Sequence, residues 1–268
     1  MKTSDMTIPA RHYRLYHENK PYGCDETDFG YVETTLTVPL EQTVLVLVDC
    51  WNTHYCPSWL ARASDVMQEK IVPVVAAARE VGMLVVHAPC PTVAEKHQQS
   101  EAYADPEDRP RGPIYAELDE EWPPEDFVKR EGLHSQYRRA YSPPAETWSD
   151  RYETQDIADI VRPQVDDFVV ATGVQMHRML KDKKTLHLFY AGFATNMCVQ
   201  YRDYGIRAMN QRGYNIILLR DCTTGVEDHD TVDELLLTRA AVREIETQYA
   251  FSAASEDFRA ACRREPET

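Results

Sequence analysis

Short apolar runs alternate with helical patterns along most of this chain, and this alternation limits the possible folds more than any other feature. The apolar runs at 44–48 and 83–87 flank a helical pattern over 71–81 that ends at Gly82. Apolar strands separated by helices need right-handed crossover connections, which make the strands parallel and cover both faces of the sheet. We therefore predict an α/β sandwich with a mostly parallel sheet.

The second half of the chain continues the same alternation. One helical pattern, over 196–212, is longer than the others and is closed by Gly213, since glycine commonly follows the last residue of a helix. Strands are predicted at 168–171, 186–191 and 215–219, and helices over 174–181, 196–212, 235–249 and 255–262.

Two segments lie outside this pattern. Residues 1–42 include an alternating stretch at 31–38, which is typical of a β-strand, and we predict an N-terminal extension folded as a β-hairpin. Residues 43–268 are predicted to form one domain, interrupted at about 97–162 by an insertion rich in proline and acidic residues. A connection this long is usually a lid, an interface arm or a linker, and its aromatic residues favour the first two.

Charge and cysteine content exclude several classes of protein. The chain has 44 acidic and 29 basic residues and a formal charge of −15, which argues against binding to nucleic acid or to an anionic membrane surface. It has no apolar run long enough to span a membrane and no secretory signal at its start, so we expect a cytoplasmic protein. Its seven cysteines are an odd number and widely scattered, which predicts mostly free thiols.

Two of the predicted strands end in residues that carry chemistry. Asp49 directly follows the strand at 44–48, and Cys198 follows the strand at 186–191 within the run 192–199. The carboxyl ends of parallel strands meet at one edge of a sheet, where open α/β folds bind their ligands. A helix start also favours an anion, so we expect Cys198 to have a lowered pKa.

These residues together resemble the isochorismatase-like cysteine hydrolase family. The resemblance is carried by Asp49, the run 192–199 (Gly-Phe-Ala-Thr-Asn-Met-Cys-Val), the tripeptide 212–214 (Arg-Gly-Tyr) and Asp221, and it covers about residues 43–262 without the insertion. It implies a three-layer α/β/α sandwich with a Rossmann-like sheet. Members of the family hydrolyse C–N bonds of small amides and ureas, and oligomers are expected from the resemblance.

The resemblance also implies roles for the residues at the two strand ends. Cys198 would be the nucleophile and Asp49 the base that takes its proton, with a cis peptide bond near Phe193–Ala194. Backbone N–H groups near Ala194 and Cys198 would then hold the oxyanion, as acyl transfer requires. Thr195 is expected to shape the same turn.

The sequence departs from the family at the third catalytic position, a lysine directly after the third strand. Here the strand at 168–171 runs into Thr172 instead. Either another cation enters the site, or Cys198 ionises without one, or the protein is not a hydrolase of the usual kind. Lys96, on the loop after the second strand, is the first candidate for the cation, and Lys129 in the insertion is the second.

Other residues near Asp49 are candidates for contact with the substrate. Trp51 and His54 follow the catalytic acid closely, and Asn196 lies in the cysteine run. Only His54 and, farther along, His87 could supplement Asp49 as metal ligands, so we predict no metal and no cofactor.

The sequence thus predicts a cysteine hydrolase that cleaves a C–N bond of a small amide, urea or carbamoyl compound through a thioester intermediate. The alternative from another class is a catalytically silent family member that binds a small molecule or a partner protein. A third reading is vinyl-ether hydrolysis, which the resemblance favours less because this chain has a cysteine nucleophile.

Overall fold

The computed structural model describes residues 5–20, 22–109, 122–138, 151 and 153–263. Eight strands and nine helices of the described residues are numbered here in chain order. The strands are β1 (Asp5–Arg14), β2 (Gly30–Pro39), β3 (Thr43–Val48), β4 (Leu84–Ala88), β5 (Phe168–Val169), β6 (His187–Gly192), β7 (Asn215–Leu219) and β8 (Phe251–Ala253). The helices are α1 (Pro57–Val66), α2 (Val72–Glu80), α3 (Pro91–Ala94), α4 (Glu125–Lys129), α5 (Gly173–Asp182), α6 (Cys198–Tyr201), α7 (Ile206–Gln211), α8 (Leu236–Gln248) and α9 (Ser255–Arg263).

All eight strands form one sheet in the order β2-β1-β8-β7-β6-β3-β4-β5. The pairs from β8 to β5 are parallel, and the pairs that include β1 are antiparallel. The central strands β3 and β6 are neighbours, so their carboxyl ends lie side by side. The predicted α/β sandwich with a mostly parallel sheet is confirmed.

Each face of the sheet packs against its own layer of helices. Along β3, Leu45 and Leu47 belong to the core on one face, while Val44, Val46 and Val48 belong to the core on the other. This split follows from the strand period of two residues. The first core contains residues of α1, α2 and α9, and the second contains residues of α5, α6, α7 and α8. The parallel strands β3, β4, β6 and β7 are buried on both sides, which explains their continuous apolar runs.

The first two strands form an antiparallel hairpin at the end of the sheet. β1 and β2 pair from Asp5 with Pro39 to Arg14 with Gly30. Arg11 of β1 pairs with Ser252 of β8 and also donates through Nε to Oε1 of Glu246, at 2.8 Å. The Glu246 side chain is fully buried, so this ion pair fastens the hairpin to α8.

We expect Arg11→Met to lower the free energy of unfolding by about 3 kcal/mol, because it leaves a buried carboxylate without its cation. Arg14→Met is the matched control, since Arg14 pairs with the exposed Glu18 and such surface pairs contribute about 0–1 kcal/mol. Urea unfolding of both variants checks this prediction. Equal losses of stability would contradict it.

The predicted helix over 196–212 is wrong as a continuous element. The chain forms α6, then a loop from Arg202 to Gly205, and then α7. A Cβ atom at Gly205 would lie 2.8 Å from the Gln200 carbonyl oxygen, so the chain turns back too tightly there for a larger residue. This break directs Arg202 towards the site described below.

The insertion predicted at 97–162 is described in part. Residues 110–121, 139–150 and 152 lie outside the described residues. The remainder contains α4 and three short 3₁₀ helices, Gln98–Glu101, Gly132–Tyr137 and Asp159–Val161. Across the described ranges, no helix combines the length and the apolar character needed to cross a membrane.

Candidate active site

Asp49 and the loop after β6 leave the sheet side by side. Val48, the last residue of β3, is paired with Gly192, the last residue of β6. Asp49 comes next in the chain, has a left-handed backbone with φ of 43°, and is only 1% exposed. The sheet therefore brings a buried carboxyl group to the start of the cysteine loop, at the edge where open α/β sheets bind ligands.

Two polar side chains hold the cysteine loop to the segment 223–226. Thr195 Oγ1 lies 2.6 Å from Thr223 Oγ1. Asn196 donates through Nδ2 to the Val226 carbonyl oxygen at 2.9 Å and accepts from the Val226 N–H through Oδ1 at 3.0 Å. Because both polar atoms of Asn196 are engaged by backbone, its side chain positions the loop, and a substrate contact through it is disfavoured.

The backbone amides of the cysteine loop differ in their availability. The peptide bond between Phe193 and Ala194 is cis. The Thr195 N–H donates to the Thr224 carbonyl oxygen at 3.2 Å, so it is not available to an oxyanion. Within the described part of the chain, the N–H groups of Ala194 and Cys198 donate to no backbone acceptor. These two amides are the candidate oxyanion donors.

A cation that sequence reasoning did not consider contacts Asp49. Arg202 lies directly after α6 and donates through Nη2 to Asp49 Oδ2, at 3.3 Å. Asp49 Oδ1 has no hydrogen-bond partner among the described residues, and it remains open to take a proton. The site thus combines a carboxylate, a thiol and a guanidinium group.

Asp49 and Cys198 are close enough for each to change the pKa of the other. Burial raises the pKa of the Asp49 carboxyl, and Arg202 and Cys198 oppose that rise. Burial also raises the pKa of the Cys198 thiol, the negative charge of Asp49 raises it further, and the charge of Arg202 acts in the opposite direction. A negative charge on Asp49 therefore disfavours the thiolate of Cys198.

The raised pKa of Cys198 differs from the lowered pKa that we expected from a helix start. α6 is only four residues long, so few peptide dipoles are aligned behind the sulfur. Burial and the like charge of Asp49 act on the thiol directly and outweigh that effect. Both effects favour the thiol form of Cys198 over the thiolate.

The two lysines proposed from sequence have other contacts. Lys96 Nζ donates to the carbonyl oxygens of Glu153 and Gln155, at 3.1 and 2.8 Å. Lys129 forms an exposed ion pair with Glu125, one turn away on α4, at 2.6 Å. Arg202, which contacts Asp49, is therefore a better candidate than Lys96 for the cation of this site.

Trp51 and His54 lie in an aromatic cluster after β3. Their rings stack with a centroid distance of 6.2 Å, and His54 also contacts the Trp59 ring at 4.2 Å. Burial lowers the pKa of His54 to about 4, and its Nδ1 accepts from the Cys56 N–H at 3.1 Å. His54 is therefore a neutral packing residue. The backbone N–H of Trp51 donates to the Asp49 carbonyl oxygen at 2.9 Å, which holds this residue next to the acid. Trp51 is partly exposed, so its ring is the better candidate for substrate contact.

The described residues contain no group of three or more histidine, cysteine, aspartate or glutamate side chains arranged to hold a metal ion. A family model described as the isochorismatase domain matches residues 43–248, which is most of the chain. The chain belongs to the isochorismatase family.

Membership of the isochorismatase family supports hydrolase activity in general. Among solved structures, the chain is similar to a cysteine hydrolase from Pseudomonas syringae pv. phaseolicola 1448A, with 14% identity, a TM-score of 0.51 and coverage of 84% of this chain and 94% of that one. It is also similar to N-carbamoylsarcosine amidase from Thermoplasma acidophilum, with 14% identity, a TM-score of 0.42 and coverage of 80% and 97%. At 14% identity, the similarity to the Pseudomonas syringae hydrolase shows a shared fold alone. No curated protein matches the sequence.

Sequence reasoning missed one charged residue in this isochorismatase-family site, Arg202. On an unbroken helix over 196–212 nothing distinguished it from other charged residues of that helix. Gly205 was the available signal, since a glycine inside a helical pattern lowers confidence in a continuous helix and here marks the turn that ends α6.

Proposed function

We propose that this isochorismatase-family protein is a cysteine amidohydrolase. It cleaves a C–N bond of a small amide, urea or carbamoyl compound through a thioester on Cys198. The observation that carries the proposal is the buried Asp49 carboxyl beside the Cys198 thiol, each of which changes the pKa of the other. A nucleophile within reach of a base is the arrangement that covalent catalysis needs.

In the first half of the reaction, the Cys198 sulfur attacks the carbonyl carbon while its proton passes to Asp49 Oδ1. The raised pKa of Asp49 makes it a stronger base than an ordinary carboxylate. The amides of Ala194 and Cys198 stabilise the negative charge that develops on the carbonyl oxygen. Asp49 then gives the proton to the nitrogen, the C–N bond breaks, and ammonia or an amine leaves a thioester on Cys198.

In the second half, water replaces the departed amine. Asp49 takes a proton from the water as its oxygen attacks the thioester carbon. The C–S bond breaks, the acid product leaves, and the proton passes to the sulfur to restore the thiol. Asp49 therefore acts as base and acid in both halves, which matches its position beside the sulfur.

A catalytically silent binding protein is the second candidate, and one observation favours it. Thr172 stands where the family resemblance leads one to expect a lysine, and its Oγ1 caps α5 by accepting from the Gln175 N–H at 3.1 Å. A binding protein would keep the ligand site at this edge of the sheet and would not need a cation after β5.

The test is the release of ammonia or amine from a panel of small linear amides, ureas and carbamoyl amino acids. We expect release by the wild type from at least one compound and none by Cys198→Ala. Cys56→Ala is the matched control, because Cys56 is also a partly exposed free thiol and has no assigned role in the reaction. If neither the wild type nor the control hydrolyses any compound, the silent binding protein becomes the better conclusion.

A further inference from the structure

The charge of the Asp49 and Cys198 pair requires a compensating cation. Asp49 is 1% exposed, and a buried carboxylate is stable only when it is paired and hydrogen-bonded. During the proposed reaction the negative charge moves between this carboxylate and the sulfur. A single fixed cation that faces both groups would stabilise the negative charge whether it is on the carboxylate or on the sulfur.

Arg202 is held in place by the loop that interrupts the predicted helix. The Asp203 carboxylate accepts from the Gly173 N–H at 2.8 Å, which ties the loop to the start of α5. Tyr204 donates through its hydroxyl to the Pro89 carbonyl oxygen at 2.7 Å, and the Tyr190 hydroxyl donates to the Tyr204 carbonyl oxygen at 2.6 Å. Three buried hydrogen bonds thus fix the backbone beside Arg202.

The loop that carries Arg202 also lies against the start of α5, which follows β5. A Cβ atom at Gly173 would lie 1.9 Å from the Asp203 carbonyl oxygen, so the start of α5 and this loop are in direct backbone contact. The Thr172 side chain after β5 carries no charge and accepts from the Gln175 N–H at 3.1 Å. Of these two segments, the loop after the nucleophile is the one that brings a cation to Asp49.

We propose that Arg202 is the catalytic cation of this site, contributed from the loop that follows the nucleophile helix, and that it neutralises the charge shared by Asp49 and Cys198. This inference rests on the proposed function for its catalytic meaning. The Nη2 atom of Arg202 lies 3.3 Å from Asp49 Oδ2, and the Nε atom of Arg202 is buried with no hydrogen-bond partner among the described residues. The guanidinium therefore has donor capacity left for the thiolate or the substrate.

An arginine in this role has a chemical consequence. A guanidinium group does not lose its proton in the working pH range, so Arg202 supplies charge and hydrogen bonds but no proton. All proton transfers then pass through Asp49. Among the described residues, Cys50, Cys90 and Tyr204 also interact with the charge of Asp49, and burial raises the pKa of each, which keeps them neutral.

The experiment measures the rate of iodoacetamide alkylation of Cys198 against pH, followed by mass spectrometry of the peptide that contains it. We expect Arg202→Met and Arg202→Gln to move the midpoint upward by about one pH unit or more, as the loss of an adjacent opposite charge does. Arg202→Lys should stay near the wild-type midpoint. Lys96→Met and Arg207→Met should leave it unchanged, since Arg207 packs instead over the rings of Tyr201 and Tyr249.

The same variants are compared for turnover of any active amide. Arg202→Gln, which can still donate a hydrogen bond to Asp49, should lower kcat by about 100-fold, while Arg202→Lys recovers part of it. An unchanged midpoint in folded Arg202→Gln and Arg202→Met would overturn the inference, and so would an upward shift in Lys96→Met alone. The alkylation readout needs no substrate, so a shift without hydrolysis would uphold Arg202 as the cation that neutralises the pair and would reject the proposed function.

Discussion

Asp49→Asn is expected to reduce the rate of amide hydrolysis by about 10³ to 10⁴-fold and, at the same time, to move the alkylation midpoint of Cys198 to lower pH. Both effects follow from the loss of the Asp49 carboxylate. Asparagine cannot carry the proton from the thiol to the leaving nitrogen, so turnover stops. It also removes the negative charge that raises the pKa of Cys198, and Arg202 then acts on the thiol unopposed.

Asp221→Asn is the matched control for this substitution. Asp221 also follows a strand closely, but its carboxylate accepts from the N–H and hydroxyl of Ser255, at 2.8 and 2.6 Å, and so caps α9. Its replacement should lower stability by about 1 kcal/mol and leave kcat and the Cys198 midpoint unchanged. If Asp49→Asn retained more than a tenth of wild-type activity, Asp49 would be a structural cap like Asp221 and not the base of the reaction.

The opposite shifts expected for Asp49→Asn and the Arg202 variants make the cluster testable as a unit. Loss of the anion should lower the pH midpoint of Cys198, and loss of the cation should raise it. Shifts of the same sign in both variants would point to general loosening of the site instead of electrostatics.

Gly192→Ala is expected to have the largest effect on stability, a loss of about 4 kcal/mol or more with loss of activity. Gly192 has φ of 110°, and a Cβ atom there would lie 2.0 Å from the Val48 carbonyl oxygen. That carbonyl accepts the hydrogen bond from the Phe193 N–H at 2.8 Å, so backbone has to move on both sides. The movement would separate the cysteine loop from Asp49.

Gly213→Ala separates this contact from backbone strain alone. Gly213 also has a positive φ, 89°, but a Cβ atom there would meet nothing within 4 Å. We expect it to cost only about 1–2 kcal/mol, with normal activity. Thermal unfolding and turnover of both variants check the pair, and similar losses for Gly192→Ala and Gly213→Ala would contradict the close-contact explanation.

The fold, and the meeting of Asp49 with the cysteine loop at one edge of the sheet, could be predicted from sequence for a simple physical reason. The runs that became β3 and β6 are buried on both faces, so each is a short, continuous apolar run in the sequence, and parallel pairing brings their ends together. Asp49 follows one of these ends, and Cys198 lies just beyond the other. The residue that follows each strand can be identified from the local sequence. The parallel order of the strands in the sheet then explains why the two ends meet.

The cation and the pKa of Cys198 could not be predicted in the same way. Arg202 reaches Asp49 only because the chain turns between α6 and α7, and that turn depends on hydrogen bonds to Gly173 and Pro89, which are distant in sequence. Likewise, the pKa of Cys198 depends on burial and on the charge of Asp49, and these are tertiary effects. The local sequence pattern carries little information about the position of Arg202 or about the pKa of Cys198.

The most direct measurement of the central claim is mass spectrometry of the protein quenched during turnover of an active amide. The proposed thioester mechanism predicts an added acyl or carbamoyl mass on the peptide that contains Cys198, which is absent from Cys198→Ala and decays as the acid product forms. Turnover with no adduct on Cys198, or with a rate undiminished in Cys198→Ala, would contradict it.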